Sequence, residues 1–152
     1  MRLILLIFTL IFLSLIPSSE IKMLVEKDLP YLIEFYKIRH QHPEISLQEQ
    51  ETARVLAAEL RKIGFEVTEN FGGYGVVGIF KNGEGPTILY RTDMDALPIN
   101  EKTDLPYSSK ASTTLNGEQV GVMHACGHDM HMTTWLGTAR AMVTLKKIGK
   151  EL

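Results

Sequence analysis

Thr87-Ile88-Leu89-Tyr90-Arg91-Thr92-Asp93-Met94-Asp95-Ala96-Leu97-Pro98 is a short apolar run that passes directly into acids. Four residues of strand character, Thr87 to Tyr90, precede two carboxylates. Open α/β sheets place their sites at the carboxyl ends of strands, so this stretch points to an α/β fold with chemistry at Asp93 and Asp95. The two acids alternate, and on an extended segment they face one way. Paired acids bind a metal, or orient a metal-bound imidazole through its second nitrogen. Alone, the stretch reads equally well as ordinary turn acids in a solvated loop. Its weight comes from what lies on either side.

Upstream, Gly75 to Phe80 is a second apolar run, separated from Thr87 by a loop holding Lys81-Asn82-Gly83-Glu84-Gly85. Asn82-Gly83 is a turn pair, and the spacing predicts a hairpin between the two runs. Phe65 to Thr68 predicts a further short strand. Two helices come before it. Leu29, Leu32, Ile33 and Tyr36 recur at helical spacing in a helix expected from near Glu26 to near His40, where Pro43 disfavours continuation. Ser46 and Glu49 have capping-box spacing. Ala53, Leu56, Ala57, Leu60 and Ile63 line one face of the second helix, with Gly64 as its stop.

Downstream, residues 97–119 are polar, carry Pro98 and Pro106, and predict a long loop. A third helix is expected from near Asp129, with Met132, Leu136, Ala139 and Val143 inward and Lys146 and Lys147 in its last turn.

Just before that helix stands the densest chemical cluster, Met123-His124-Ala125-Cys126-Gly127-His128-Asp129-Met130-His131. It holds three of the five histidines and the only cysteine. Glycine at 127 lets the backbone turn sharply, so Cys126 and His128 can converge on one ion. On a regular helix, side chains two apart diverge. The pair is therefore placed on the turn that opens the helix. Thiolate with imidazole suits zinc, manganese, iron or cobalt class ions. His124 and His131 are weaker candidates. His40-Gln41-His42-Pro43-Glu44-Ile45-Ser46, between the first two helices, reads as a loop with exposed histidines that ends in a cap, and carries no functional reading by itself.

Composition narrows the class. The 152-residue chain is 45% hydrophobic and 22% charged, enough apolar residue for a packed core. A formal net charge of −2 gives no footprint for nucleic acid. One cysteine excludes an internal disulfide. Arg2, an apolar run from Leu3 to Ile16 and then Pro17-Ser18-Ser19 have the pattern of a signal peptide, with an uncleaved membrane anchor as the alternative. Residues 1–19 are expected to direct export to the periplasm or the medium, leaving 22–152 as part of a catalytic domain. Their removal leaves 15 basic against 18 acidic residues, a charge of −3.

The three stretches Arg39 to Glu44, Arg91 to Pro98 and Met123 to His131, in this order, resemble the signatures of the aminoacylase, hippurate hydrolase and auxin-conjugate amidohydrolase type of metallohydrolase. The resemblance runs from about residue 24 to the end. It implies a zinc-peptidase-like, three-layer α/β catalytic domain with an inserted lid that often dimerises. It implies cleavage of N-acyl amino acid or short peptide-like amides with two divalent ions, manganese or zinc. Cys126 and His128 are similar to the family's metal ligands. Asp95 is similar to the acid that orients the metal site, and is assigned the catalytic role. Asp93 stands where wider relatives have a metal-binding histidine, and is assigned to the metal.

The sequence departs from the family pattern after the third helix. Adjacent glutamates, one similar to the general base, and two later histidine ligands have no counterpart here, and neither has the lid. Loss of a general base costs roughly 10²–10⁴ in rate. The expectation is an N-terminal part of an amidohydrolase, inactive alone. The alternative is a non-catalytic metal-binding fragment or decayed gene product. A redox or peptide-binding domain built on Cys126 ranks below both, since no second cysteine is present.

Overall fold

The computed structural model describes residues 18–147. The expected leader therefore lies outside the described residues, save for Ser18 and Ser19. No helix among the described residues is long and apolar enough to cross a membrane.

Helix α1 (Ser18–Gln41) begins well before Glu26 and continues through Pro30. Its buried face carries Leu32, Phe35, Arg39 and His40. The expected stripe is thus only partly inward: Leu29 and Ile33 are 44% and 42% exposed. Reading apolar spacing alone missed that two polar residues, Arg39 and His40, belong to the inward face.

Helix α2 (Gln50–Ile63) buries Ala53, Leu56, Ala57 and Leu60, as its periodicity requires. The Ser46–Glu49 capping box does not form; Glu49 makes no side-chain cap. Glu44 caps instead, its carboxylate accepting from the backbone N–H of Glu51 (3.1 Å) and Thr52 (2.7 Å). The longer side chain reaches two orphan donors at once and places a negative charge at the positive end of the helix dipole. Gly64 ends the helix at φ 100°, a conformation glycine adopts without a Cβ penalty.

Strands β1 (Glu66–Phe71) and β2 (Gly75–Ile79) form an antiparallel hairpin. Their turn uses Gly72 and Gly73, both at positive φ. Residues 81–85 are therefore not a hairpin loop. β2 pairs backward with β1, and Thr87–Tyr90 forms no strand among the described residues. Side chains Ile88 and Leu89 are 84% and 86% exposed. An apolar run becomes a strand only where a neighbour completes its hydrogen bonds. Helix α2 packs on the hairpin at Gly78, where a Cβ would stand 2.5 Å from Leu60 Cδ1.

The expected loop over 97–119 contains a second hairpin, β3 (Ser112–Leu115) and β4 (Glu118–Gly121). Asn116 and Gly117 sit at φ 52° and 85°, the pair of positive angles a type I′ turn demands. The polar character of Ser112, Thr113 and Thr114 masked it.

Helix α3 (His128–Lys147) buries Met132, Leu136, Ala139 and Val143. Leu32, Phe35, Leu56, Met132 and Leu136 make the main core, joining α1, α2 and α3. Gly137 permits the close approach of α1, since a Cβ there would lie 3.0 Å from Leu32 Cδ1. Arg140 donates to both Asp28 oxygens (2.6 and 3.2 Å) and lies 4.6 Å over the Tyr31 ring.

A smaller core of Ile45, Ala96 and Val122 sits where the three motifs meet. Ala96 N–H donates to Glu44 O (2.7 Å), and Leu97 and Met123 exchange backbone hydrogen bonds at 2.9 and 3.0 Å. The class is mixed α/β, with α2 packed on the first of two antiparallel hairpins and isolated bridges tying the motif segments together.

Candidate metal centre

The turn before α3 is built by backbone hydrogen bonds from Ala125 N–H to Met123 O (2.9 Å) and Gly127 N–H to His124 O (3.2 Å). Gly127 at φ 77° lets the chain swing from this turn into the helix. Cys126 stands exposed on the turn, and His128 opens the helix.

His128 faces Asp95. Its Nδ1 lies 2.8 Å from the Asp95 backbone O and 3.0 Å from Asp95 Oδ1. Both neighbours accept only, so Nδ1 carries the proton and Nε2 of the neutral ring keeps its lone pair. This is how a metal-binding imidazole is oriented, with a carboxylate on the other nitrogen. Asp95 is held in turn by its chain neighbours Ala96 and Leu97, through the bridges to Glu44 and Met123.

Asp93 does not join this pair. Its carboxylate meets the Arg91 guanidinium, and its side chain is half exposed. Arg91, Thr92, Asp93, His131 and Thr134 line one open cleft. Asp93 and Asp95 thus have separate partners, although alternation on an extended segment would turn both one way. The His131 ring lies 5.6 Å from that of His128, tilted by 36°. His124 is buried behind the turn, and neither ring nitrogen makes a hydrogen bond of normal geometry. Burial pushes its pKa down, against the nearby Asp129 charge and a weak pull from the Asp95 backbone. Among the described residues, no three His, Cys, Asp or Glu side chains are gathered closely enough to hold an ion.

Beneath the turn lies a network absent from the sequence-based expectations. His40, read as an exposed loop residue, is buried in the last turn of α1. Its Nδ1–H donates to Asp129 Oδ2 (2.6 Å) and its Nε2–H to Glu101 Oε1 (3.0 Å). Burial works to lower the His40 pKa, but the bonds to Glu101 and Asp129 outweigh it and the net direction is up. Burial pushes Glu101 up, yet its bonds from Thr103, His40 and the Ser109 N–H (2.5 Å) bring it below the usual range. The rings of Tyr36 and Tyr107 enclose His40 at 5.7 and 5.5 Å. Asp129 was visible as part of the histidine cluster; Glu101, in a polar stretch, carried no signal at all.

Comparisons with known proteins bear on the family. Residues 89–152 match the family model for Peptidase family M20/M25/M40. A Synechocystis sp. protein named as a hydrolase is 44% identical over 135 residues, covering 88% of this chain and 32% of that protein. The hippurate hydrolase of Campylobacter jejuni is 45% identical over 115 residues, 73% of this chain and 28% of the relative. The Bacillus subtilis YXEP protein, a dinuclear metal-binding peptidase of the M20 family, superposes with a TM-score of 0.69 at 36% identity, covering 80% of this chain and 32% of its own. The chain spans about a third of the length of these relatives. Motifs, fold and likenesses together place residues 89–152 in a Peptidase family M20/M25/M40 domain, of which the chain covers part.

Proposed function

We propose that the protein is a metal-dependent amidohydrolase that cleaves N-acyl amino acids or short peptide-like amides, to which this chain contributes part of the metal centre. The observation that carries the reading is the His128–Asp95 pair. A carboxylate holds Nδ1 and leaves Nε2 with a free lone pair, two positions along the chain from the exposed Cys126 thiol. Thiolate and imidazole fit a divalent transition ion, and we assign zinc or manganese, two ions in a complete site. When bound, such an ion polarises the amide carbonyl and lowers the pKa of water.

The chain's own residues have distinct tasks. Cys126 and His128 would hold the metal. Asp95 fixes the ring of His128 and its tautomer, and its charge favours the cation. Asp93, paired with Arg91, borders the cleft beside His131 and would reach an ion only by leaving that pair. Similarity to the hippurate hydrolase and to the dinuclear peptidase supports the substrate class and the metal pair. Export by residues 1–19 and dimerisation through a lid are further parts of the proposal, supported by the leader's composition and by the family resemblance.

The test is release of free amino acid from an N-acyl amino acid by the whole gene product with added manganese or zinc. Cys126→Ser and His128→Ala are each expected to abolish turnover and remove bound metal. Wild-type activity and metal content in either variant would remove the site assignment. No turnover by the whole product, with metal still bound through Cys126, would favour the non-catalytic metal-binding reading.

A further inference from the structure

The residues given metal and catalytic tasks leave His40, Glu101 and Asp129 without one. All three side chains are nearly sealed from solvent, at 6%, 0% and 3% exposure. Burying ionisable groups is costly, and apolar residues of similar volume often serve packing as well or better. Their presence asks for a task beyond filling space.

His40 has no free nitrogen. Both are spent on carboxylates, so it is neither a metal ligand nor a base in this arrangement. What it does is join three distant segments: the end of α1, the loop at Glu101 and the first turn of α3. Each carboxylate follows one member of the His128–Asp95 pair along the chain. Asp129 directly follows His128, and its other oxygen accepts the Met130 N–H at 2.9 Å. Any rotation of α3 that swung His128 would have to drag Asp129 off His40. Glu101 lies six positions after Asp95 on the same segment. Its second oxygen accepts from Ser109 N–H, which pins that segment to the loop ahead of β3.

We propose that His40 is a positioning residue, its ring clamping Asp129 to Glu101 so that His128 and Asp95 stay in register and Nε2 of His128 faces the ion beside Cys126. The inference rests on the metal-site reading above. It adds a requirement that ligand identity alone does not contain.

The test uses the 152-residue chain. Long-range ¹H–¹⁵N spectra of the imidazoles read the tautomers directly. Cobalt(II) titration read by the Cys126 thiolate-to-cobalt charge-transfer band reads the site. In the wild type, His40 should show both ring N–H groups and His128 a single Nδ1–H tautomer. A His40 with only one ring proton joins one carboxylate, and that result alone overturns the clamp. In His40→Gln, which keeps one amide donor, His128 should become a tautomer mixture and cobalt affinity should fall about tenfold or more. A folded His40→Gln with the wild-type His128 tautomer overturns the proposal. Should His40→Gln not fold, Glu101→Leu keeps the His40–Asp129 bond but frees the loop; His128 should again lose its single tautomer, and an unchanged ring is the contrary result. Failure of the metal-site reading looks different: the wild type itself gives no thiolate–cobalt band, while the tautomer experiment still decides the clamp.

Discussion

At the scale of single residues, the proposed site divides into groups that would face an ion and groups that would hold them. Cys126, His128 and Asp95 were legible as candidates because spacing carries their chemistry: a cysteine and a histidine around glycine, and an acid at the end of an apolar run. His40 and Glu101 were not, because burial decides their state and nothing local in the sequence announces it. That burial gives them a pH signature. The folded pKa of His40 lies above its ordinary 6.5. Its contribution to stability is therefore full below about 6.5 and is lost as pH rises through the folded value. Glu101 is depressed below its ordinary 4.5. Its contribution is full above about 4.5 and is lost as pH falls through the folded value. The groups facing His40 are Asp129, Glu101, Tyr36, Tyr107 and, through its field, His124. We expect the urea midpoint to hold a plateau from about pH 4.5 to 6.5 and to decline on both sides. In His40→Gln the alkaline decline should weaken; a wild-type alkaline limb in that variant would assign it to other groups.

At the scale of elements, α2 and the central stripe of α3 were legible, since the burial of Ala53, Leu56, Ala57 and Leu60, and of Met132, Leu136, Ala139 and Val143, follows from helical spacing. The pairing of strands was not. Asn82-Gly83 has turn chemistry but no competent strand after it, whereas Gly72-Gly73 and Asn116-Gly117 close the two hairpins that form. Turn residues state where a chain can reverse, and the availability of partners states where it does. The start of α2 shows the same competition. Ser46 and Glu49 have the spacing of a capping box, but Glu44 takes the donors of Glu51 and Thr52. Glu44→Ala should cost about 0.5–2 kcal/mol, and Ser46→Ala within about 0.5 kcal/mol of nothing. Equilibrium denaturation of the two variants separates the alternatives, and equal losses would restore the capping box. Because Glu44 O also accepts from Ala96 N–H, the cap is coupled to the segment that carries Asp95.

At the scale of the whole molecule, the three motifs lie far apart in sequence and converge on the small core of Ile45, Ala96 and Val122. Their order was readable; their convergence follows from two bridges, Ile45 with Ala96 and Leu97 with Met123, too short to leave a periodic signal. The same packing leaves Thr87–Tyr90, the run that first suggested a strand, without a strand partner among the described residues. Two adjacent large apolar side chains exposed beyond four-fifths, with Tyr90 half exposed beside them, make a surface that water solvates poorly. Unpaired backbone next to apolar side chains also favours pairing with another chain. The 152-residue chain is therefore expected to self-associate at micromolar concentration, and Ile88→Lys with Leu89→Glu to reduce that association several-fold in light scattering. The paired substitution leaves the net charge unchanged, so a gain in solubility would report loss of the apolar patch and not added repulsion. Undiminished association in the double variant would place the sticky surface elsewhere, with the α1 residues Ile21, Val25, Leu29 and Ile33, exposed at four-residue spacing, as the next to examine.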